Sequence, residues 1–255
     1  MGGRAANQFG EVATVYDSLM TGVPYAQWVD YLEQLWRFFD WAPASVLELA
    51  CGTGTVMAEL RERGYRVAGV DNSPAMLAEA RRKLGEDVPL FLQDAADLRL
   101  DGPYDACICL FDSLNYLLEW EQLRDCCRGV RRLLAPDGSF IFDVNSLRAL
   151  ETNMFTQTGA GQGRNPLSYE WQSVWSPETR LCTVEMEYHV LREGRLESFR
   201  ETHVQRGYTL AELGGAVRAG GLTLLASYDA YTFHPASQAG DRYFLTAQRP
   251  PGEAE

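Results

Sequence analysis

The residues Glu48-Leu49-Ala50-Cys51-Gly52-Thr53-Gly54 close a short apolar run and open a helical one. Glycines in such a turn let the backbone approach a ligand closely, since a Cβ would obstruct the turn or the contact. Two further acids follow at the ends of the next apolar runs. Asp71 ends Arg66–Asp71, where a carboxylate can accept both hydroxyls of a ribose. Asp94 lies just after Val88–Gln93, where it can accept from an adenine amino group while the Ala95 amide meets a ring nitrogen. Three run ends therefore offer one nucleoside-shaped groove.

A Gly-x-Gly turn with a later acid also fits nicotinamide enzymes, but the full fingerprint wants a third glycine three residues on. Met57 stands there instead. Glu48, directly before the turn, is an awkward neighbour for a pyrophosphate and a favourable one for an ammonium group. The ligand that joins adenosine, an ammonium and a sulfonium is S-adenosylmethionine.

The elements that must hold these residues read as alternating strands and helices. Ser45–Ala50, Arg66–Asp71, Val88–Gln93, Tyr104–Phe111 and Ser139–Val144 are short apolar runs bounded by turns and separated by helix-length segments. Near-continuous apolar strands of this kind imply a parallel sheet covered on both faces, with ligands at the carboxyl ends of the strands. Ser73-Pro74 starts a helix and Gly85 stops it. Residues 11–20 and 25–40 read as helices, the second carrying Trp28, Tyr31, Leu32, Leu35, Trp36 and Phe39 on one stripe. Residues 150–167 are polar and glycine-rich and predict a mobile connection. From Thr183 to Leu191 the period falls to two, with Val184, Met186, Tyr188 and Val190 on one parity, and Tyr169–Trp175 and Leu196–Val204 look like its antiparallel neighbours. The α/β architecture resumes with a helix over Leu210–Ala219 and strands at Leu222–Tyr228 and Tyr243–Ala247. The expected fold is a Rossmann-like, mostly parallel seven-stranded sheet with helices on both faces. Residues 1–40 would form an N-terminal helical lid, 41–149 with 207–250 the ligand-binding domain, and 150–206 an inserted antiparallel β subdomain.

Composition narrows the chemistry. The chain has 255 residues and a formal net charge of −12, so a nucleic-acid backbone, bound chiefly by clustered cations, is a poor partner. Lys83 is the only lysine; no Walker lysine motif is present, and a pyridoxal Schiff base would have to use a charged EARRKLGE helix. The 6 cysteines form no CxxC pair, and Cys107, Cys109, Cys126 and Cys127 fall at core positions, as small buried hydrophobes do. His189, His203 and His234 show no HExxH spacing, so no metal site is expected. No apolar run approaches the ~20 residues needed to span a bilayer, and residues 1–10 lack a secretory apolar stretch, which makes the cytoplasm the expected compartment.

In order, VLELACGTG, VAGVDNSPAMLAEAR, FLQDAADL, FDSLNYL and LLAPDGSFIFDVN resemble the successive motifs of class I S-adenosylmethionine-dependent methyltransferases, over about residues 9–248. VYDSLM, FDSLNYL, the inserted sheet and HVQRGYTLAEL are similar to a bacterial small-molecule branch that includes amino-sugar N-methyltransferases. The resemblance implies a cofactor site in which Glu48 faces the methionine portion, the backbone at Ala50 and Gly52 lines the turn, and Asp71 holds the ribose. Asn72 and Met76 would flank the adenine, and Asp94 with Ala95 would read its edge. The Leu110 carbonyl would accept from the ammonium, and Tyr16 would close over the methionine end. Ala50 departs from the glycine that many such proteins carry there, which limits the turn's conformations.

Methyl transfer is an in-line displacement, so alignment in a dry pocket dominates and a base is optional for an amine. Asp112 and Asn115, just past the fourth strand, are candidates for acceptor or proton-transfer roles, against loop hydrogen bonding or helix capping. His203 alternates with Glu201 and Gln205, which on its plainest reading is a solvated strand face; were that face to roof the pocket, His203 would be the best histidine base. Tyr25, Trp28, Trp171, Trp175 and Tyr231 could wall a pocket, although core packing explains their spacing more simply. The expected activity is methylation of a small molecule, nitrogen favoured through the resemblance, with a homodimer compatible. The competing readings are an RNA or protein methyltransferase and a non-catalytic S-adenosylmethionine-binding module.

Overall fold

The computed structural model describes residues 8–161, 167–192 and 194–251. After a 3₁₀ turn at Val12–Val15 come α1 (Tyr16–Leu19), α2 (Tyr25–Phe38), β1 (Ser45–Leu49), α3 (Thr55–Glu62), β2 (Arg66–Asp71), α4 (Pro74–Leu84), β3 (Leu90–Leu92) and β4 (Tyr104–Cys109). A 3₁₀ turn at Ser113–Tyr116 leads to α5 (Trp120–Leu133), β5 (Leu134–Asn145) and α6 (Leu147–Glu151). The chain continues through β6 (Gln157–Gly161), β7 (Leu167–Ser176), β8 (Leu181–Arg192), β9 (Arg195–Arg206), α7 (Leu210–Ala219), β10 (Thr223–Asp229) and β11 (Arg242–Gln248).

The main sheet has seven strands in the order β10-β11-β5-β4-β1-β2-β3. Strands β1 to β5 pair in parallel, and only β11 and β10 run antiparallel. The order reverses between β1 and β4, which places the crevice for a ligand beyond the carboxyl ends of β1, β2 and β4. Side-chain alternation then sorts each strand between two cores. Leu47, Leu49, Cys107, Cys109, Phe140 and Phe142 meet Cys126, Cys127 and Val130 of α5 and Leu213 and Val217 of α7. Val46, Ala106, Ile108 and Ile141 meet Leu32, Leu35 and Trp36 of α2 and Val56 and Leu60 of α3. Helix α2 thus covers the sheet, and within residues 1–40 it is the segment before α2 that packs with the inserted sheet instead, through Val12, Ala13 and Val15.

The helix over residues 11–20 divides into the 3₁₀ turn and the one-turn α1. Ser73 caps α4 by accepting from the Met76 amide, with Pro74 in its first turn. The inserted sheet runs β6-β7-β8-β9, with Val184, Met186, Tyr188 and Val190 buried on one parity. It contains one strand more than the sequence suggests. The connection expected to be mobile carries β6, whose glycines mask its strand character; Gly159 pairs with Tyr169, whose ring occupies the space a Cβ would need. Residues 162–166 of that connection lie outside the described residues.

All 6 cysteines are free and buried. Burial pushes the Cys127 thiol up to about 12 and the Cys182 thiol to about 11, so the nucleophilic thiolate is scarce at neutral pH. Titration with Ellman's reagent should find no fast-reacting thiol in the native protein and all six after denaturation; a thiol reacting within seconds in buffer would contradict this packing.

Candidate active site

The turn after β1 is built from left-handed residues: φ is +51° at Ala50, +53° at Gly52 and +76° at Gly54. For alanine this conformation costs roughly 1–2 kcal/mol, so the alanine substitution noted above is accommodated as strain. At Gly52 a Cβ would meet nothing within 4 Å, while at Gly54 it would come within 2.7 Å of Leu84 Cδ1. Gly54 is therefore required by the packing of α4, whereas Gly52 borders open space. The Asp71 carboxylate reaches back to the turn, accepting from the Gly52 amide at 2.8 Å and from the Ser73 amide at 2.8 Å. Two lone-pair sites per oxygen leave it further capacity.

One cavity of about 530 Å³ opens over these strand ends. Tyr16, Glu48, Ala50, Gly52, Asp71, Asn72, Met76, Asp94, Ala95 and Leu110 all line it. Glu48 is 4% exposed, and its Oε2 has no hydrogen-bond partner. Burial raises its pKa well above the usual carboxylate value, Asp71 raises it further, and Lys83 opposes them. A buried carboxylate oxygen left unpaired is costly. An ammonium group would satisfy it, and the open side of Gly52 leaves room for that group, so these residues fit S-adenosylmethionine. Asp94 Oδ1 accepts from the Ala96 amide at 2.8 Å, which shapes the loop at the other end of the groove.

The N-terminal segment is tied to the same rim. Asp17 on α1 accepts from the Thr53 hydroxyl at 2.6 Å and pairs with Lys83 at 2.8 Å. Lys83 Nζ also lies 3.1 Å from Thr53 Oγ1 and 2.6 Å from Thr55 Oγ1.

The candidates past β4 separate. Asp112 lines the cavity, but its carboxylate is held by Arg242 Nη2 and by Gln205 Nε2, each at 2.6 Å. Its backbone and that of Phe111 are left-handed, with φ of +50° and +64°. Asn115 does not reach the cavity. Fully buried, it donates to the carbonyls of Asn145 and Arg206 and accepts from the Asn145 amide, joining the turn to β5 and β9. His203 lines the cavity and is buried. The solvated-face reading of Glu201, His203 and Gln205 is corrected: this polar face of β9 turns inward, beneath the N-terminal segment and the turn after β4. Of the five aromatics, Tyr25, Trp28 and Trp171 line the cavity, whereas Trp175 and Tyr231 do not.

Sequence reasoning missed three contributors. Arg242, which lines the cavity, pairs with both Asp112 and Asp143. Burial acts against its charge, but the two carboxylates outweigh it and raise its pKa. Tyr116 lies 3.0 Å from His203 Nδ1, and Glu201 lies 2.9 Å from His203 Nε2. Tyr116 stood in the FDSLNYL motif and could have been found there; one arginine among many at the start of a last strand carried no local signal.

Residues 46–138 match the family model described as a methyltransferase domain. The chain is 33% identical over 242 residues to the putative methyltransferase YqeM of Bacillus subtilis (strain 168), covering 93% of this chain and 95% of that one. It is 29% identical to the dTDP-4-amino-2,3,4,6-tetradeoxy-D-glucose N,N-dimethyltransferase of Saccharopolyspora spinosa, over 82% of this chain and 84% of the relative. Among solved structures, an S-adenosylmethionine-dependent methyltransferase from Clostridium acetobutylicum ATCC 824 superposes with a TM-score of 0.81 at 25% identity, covering 94% of this chain and 98% of that one.

Replacing Asn115 with alanine leaves buried backbone groups unpaired, so Asn115→Ala should lose about 2–3 kcal/mol of stability in urea denaturation while cofactor affinity, read by calorimetry, stays near wild type. Glu48 gives a pH signature. Its native pKa is raised, so the native state holds the proton more tightly than the unfolded chain, and stability falls as pH rises above the ordinary value of 4.5. Without ligand, Glu48→Gln should therefore lose less stability between pH 5 and pH 8 than wild type, as followed by urea midpoints.

Proposed function

Because the chain belongs to the class I S-adenosylmethionine-dependent methyltransferases, we propose that it methylates the nitrogen of a small-molecule acceptor held beneath the inserted sheet. When bound, S-adenosylmethionine supplies a methyl group already activated by a positively charged sulfur. The protein's task is to hold donor and acceptor in line and to keep water out. In this reading Glu48 and the Leu110 carbonyl bind the ammonium end and Asp71 the ribose. Asn72 and Met76 flank the base, Asp94 and Ala95 read its edge, and Tyr16 closes over the methionine end.

On the acceptor side, the inward face of β9 brings His203 to the cavity through Tyr116, and this pair accepts the proton that the nitrogen gives up. Asp112, held by Arg242 and Gln205, shapes the floor rather than carrying protons. Asn115 positions that floor from behind. We read residues 8–24, together with the described residues of the 150–206 insertion, as the cover whose walls select the acceptor. The amino-sugar N,N-dimethyltransferase of S. spinosa supports nitrogen as the acceptor atom. Six unpaired thiols suit the reducing cytoplasm, and no helix among the described residues is long and apolar enough to cross a membrane.

The observation that carries this reading is the continuity of one cavity from Glu48 and Asp71 to Tyr116 and His203. Calorimetry with S-adenosylmethionine and its demethylated product should show binding of both, weakened by about 1.5–3 kcal/mol in Asp71→Ala, the range for hydrogen bonds to a charged group. Labelled methyl should then pass to members of a panel of small amines. Label appearing only in RNA or protein would move the acceptor class, and binding without transfer to any panel member would reduce the chain to a binding module.

A further inference from the structure

Glu201 does not line the cavity, yet it is the most heavily used carboxylate beside it. Its two oxygens accept from the backbone amides of Phe9 at 3.0 Å, Gly10 at 3.1 Å and Val12 at 3.1 Å. Phe9 is left-handed, with φ of +58°, so successive N–H groups converge on the carboxylate as in an anion-binding nest. Burial opposes its charge, but His203 and these amides hold its pKa below the usual carboxylate value. An ionised carboxylate only accepts hydrogen bonds. The remaining partner, His203 Nε2 at 2.9 Å, must therefore carry a hydrogen. In a neutral imidazole the other nitrogen is then an acceptor, and the hydroxyl 3.0 Å from it belongs to Tyr116. The Phe9 ring covers both, with centroids 4.6 Å from His203 and 5.4 Å from Tyr116. Asp112, Tyr188 and Tyr16 are the other titratable groups facing this pair from packed elements.

We propose that Glu201 is a positioning residue: it fixes His203 as the Nε2–H tautomer, so that Tyr116 donates to Nδ1 and turns its oxygen lone pairs toward the acceptor nitrogen. This rests on the small-molecule N-methylation proposed above. As the N–C bond forms and the C–S bond of the donor breaks, the nitrogen's proton passes to the Tyr116 oxygen and the phenolic proton to His203 Nδ1. The positive charge that leaves sulfur ends on an imidazolium paired with Glu201. No group outside the site is needed for that balance. Because the same carboxylate holds Phe9, Gly10 and Val12, the tautomer is set only while the N-terminal segment is docked, and the proton acceptor is complete only in the covered site.

Nitrogen-15 spectra of histidine-labelled protein test this directly, with the His203 signals identified by their loss in His203→Gln. At neutral pH wild type should show a protonated Nε2 and an unprotonated Nδ1. In Glu201→Gln the side-chain amide can donate to Nε2, and the pattern should reverse. Cofactor affinity should change by less than about threefold while kcat falls roughly 100-fold or more, within the range for a lost general base or misplaced tautomer. Tyr116→Phe should keep the wild-type tautomer and lose kcat by a similar factor, and it serves if Glu201→Gln does not fold. An Nδ1–H form or an imidazolium in wild type, or full kcat in Glu201→Gln, overturns the assignment. The spectra need no acceptor. A protein that methylates no amine but shows the Nε2–H form sinks the proposed function and still supports the role of Glu201.

Discussion

A carboxylate that the fold buries and leaves half unpaired governs this molecule. Glu48 lies one residue from the end of β1, on the parity that otherwise supplies apolar residues to the α2 and α3 core, and its Oε2 meets no donor. Ionising such a group away from water is expensive, and the surrounding residues moderate that cost without removing it. Lys83 offers an opposite charge at a distance. Asp71 adds to the burden, and it also ties the turn by accepting from the Gly52 and Ser73 amides. The strained Ala50 follows from the same need: the chain must reverse at once if the two acids are to share one rim. An apo site so arranged is poised for a cation.

The opposite wall uses charge for the contrary purpose. Arg242 is neutralised on the spot by Asp112 and Asp143, and Gln205 extends the set into the inserted sheet. Left-handed Phe111 and Asp112 persist there because Asp143 of β5 and Gln205 of β9 hold Asp112 and Arg242 of β11 reaches both. The result is a rigid wall of the cavity, with its ion pairs closed among themselves.

How much of this could be read in the chain follows from the kind of signal each feature leaves. The parallel sheet was legible because period, length and turn chemistry agree from Ser45 to Val144. The cavity rim was legible because the residues that line it are local to strand ends. By contrast, β6 hides behind glycines whose pairing depends on the Tyr169 ring. The inward face of β9 reads as solvated because alternation reports two faces without saying which one meets water. Asn115 looked chemical beside Asp112, but its partners lie 30 and 91 residues away, beyond any local pattern. Arg242 needs partners that only the folded sheet supplies.

Lys83 is the only lysine in the chain, and it spends its charge bridging α1 to the glycine turn through Asp17 and Thr53. The molecule's one side-chain primary amine thus sits where α1 meets the glycine turn. Acetylation, or any other acylation that finds lysine, would have a single address on this chain, and it would remove the charge that pairs with Asp17 of α1.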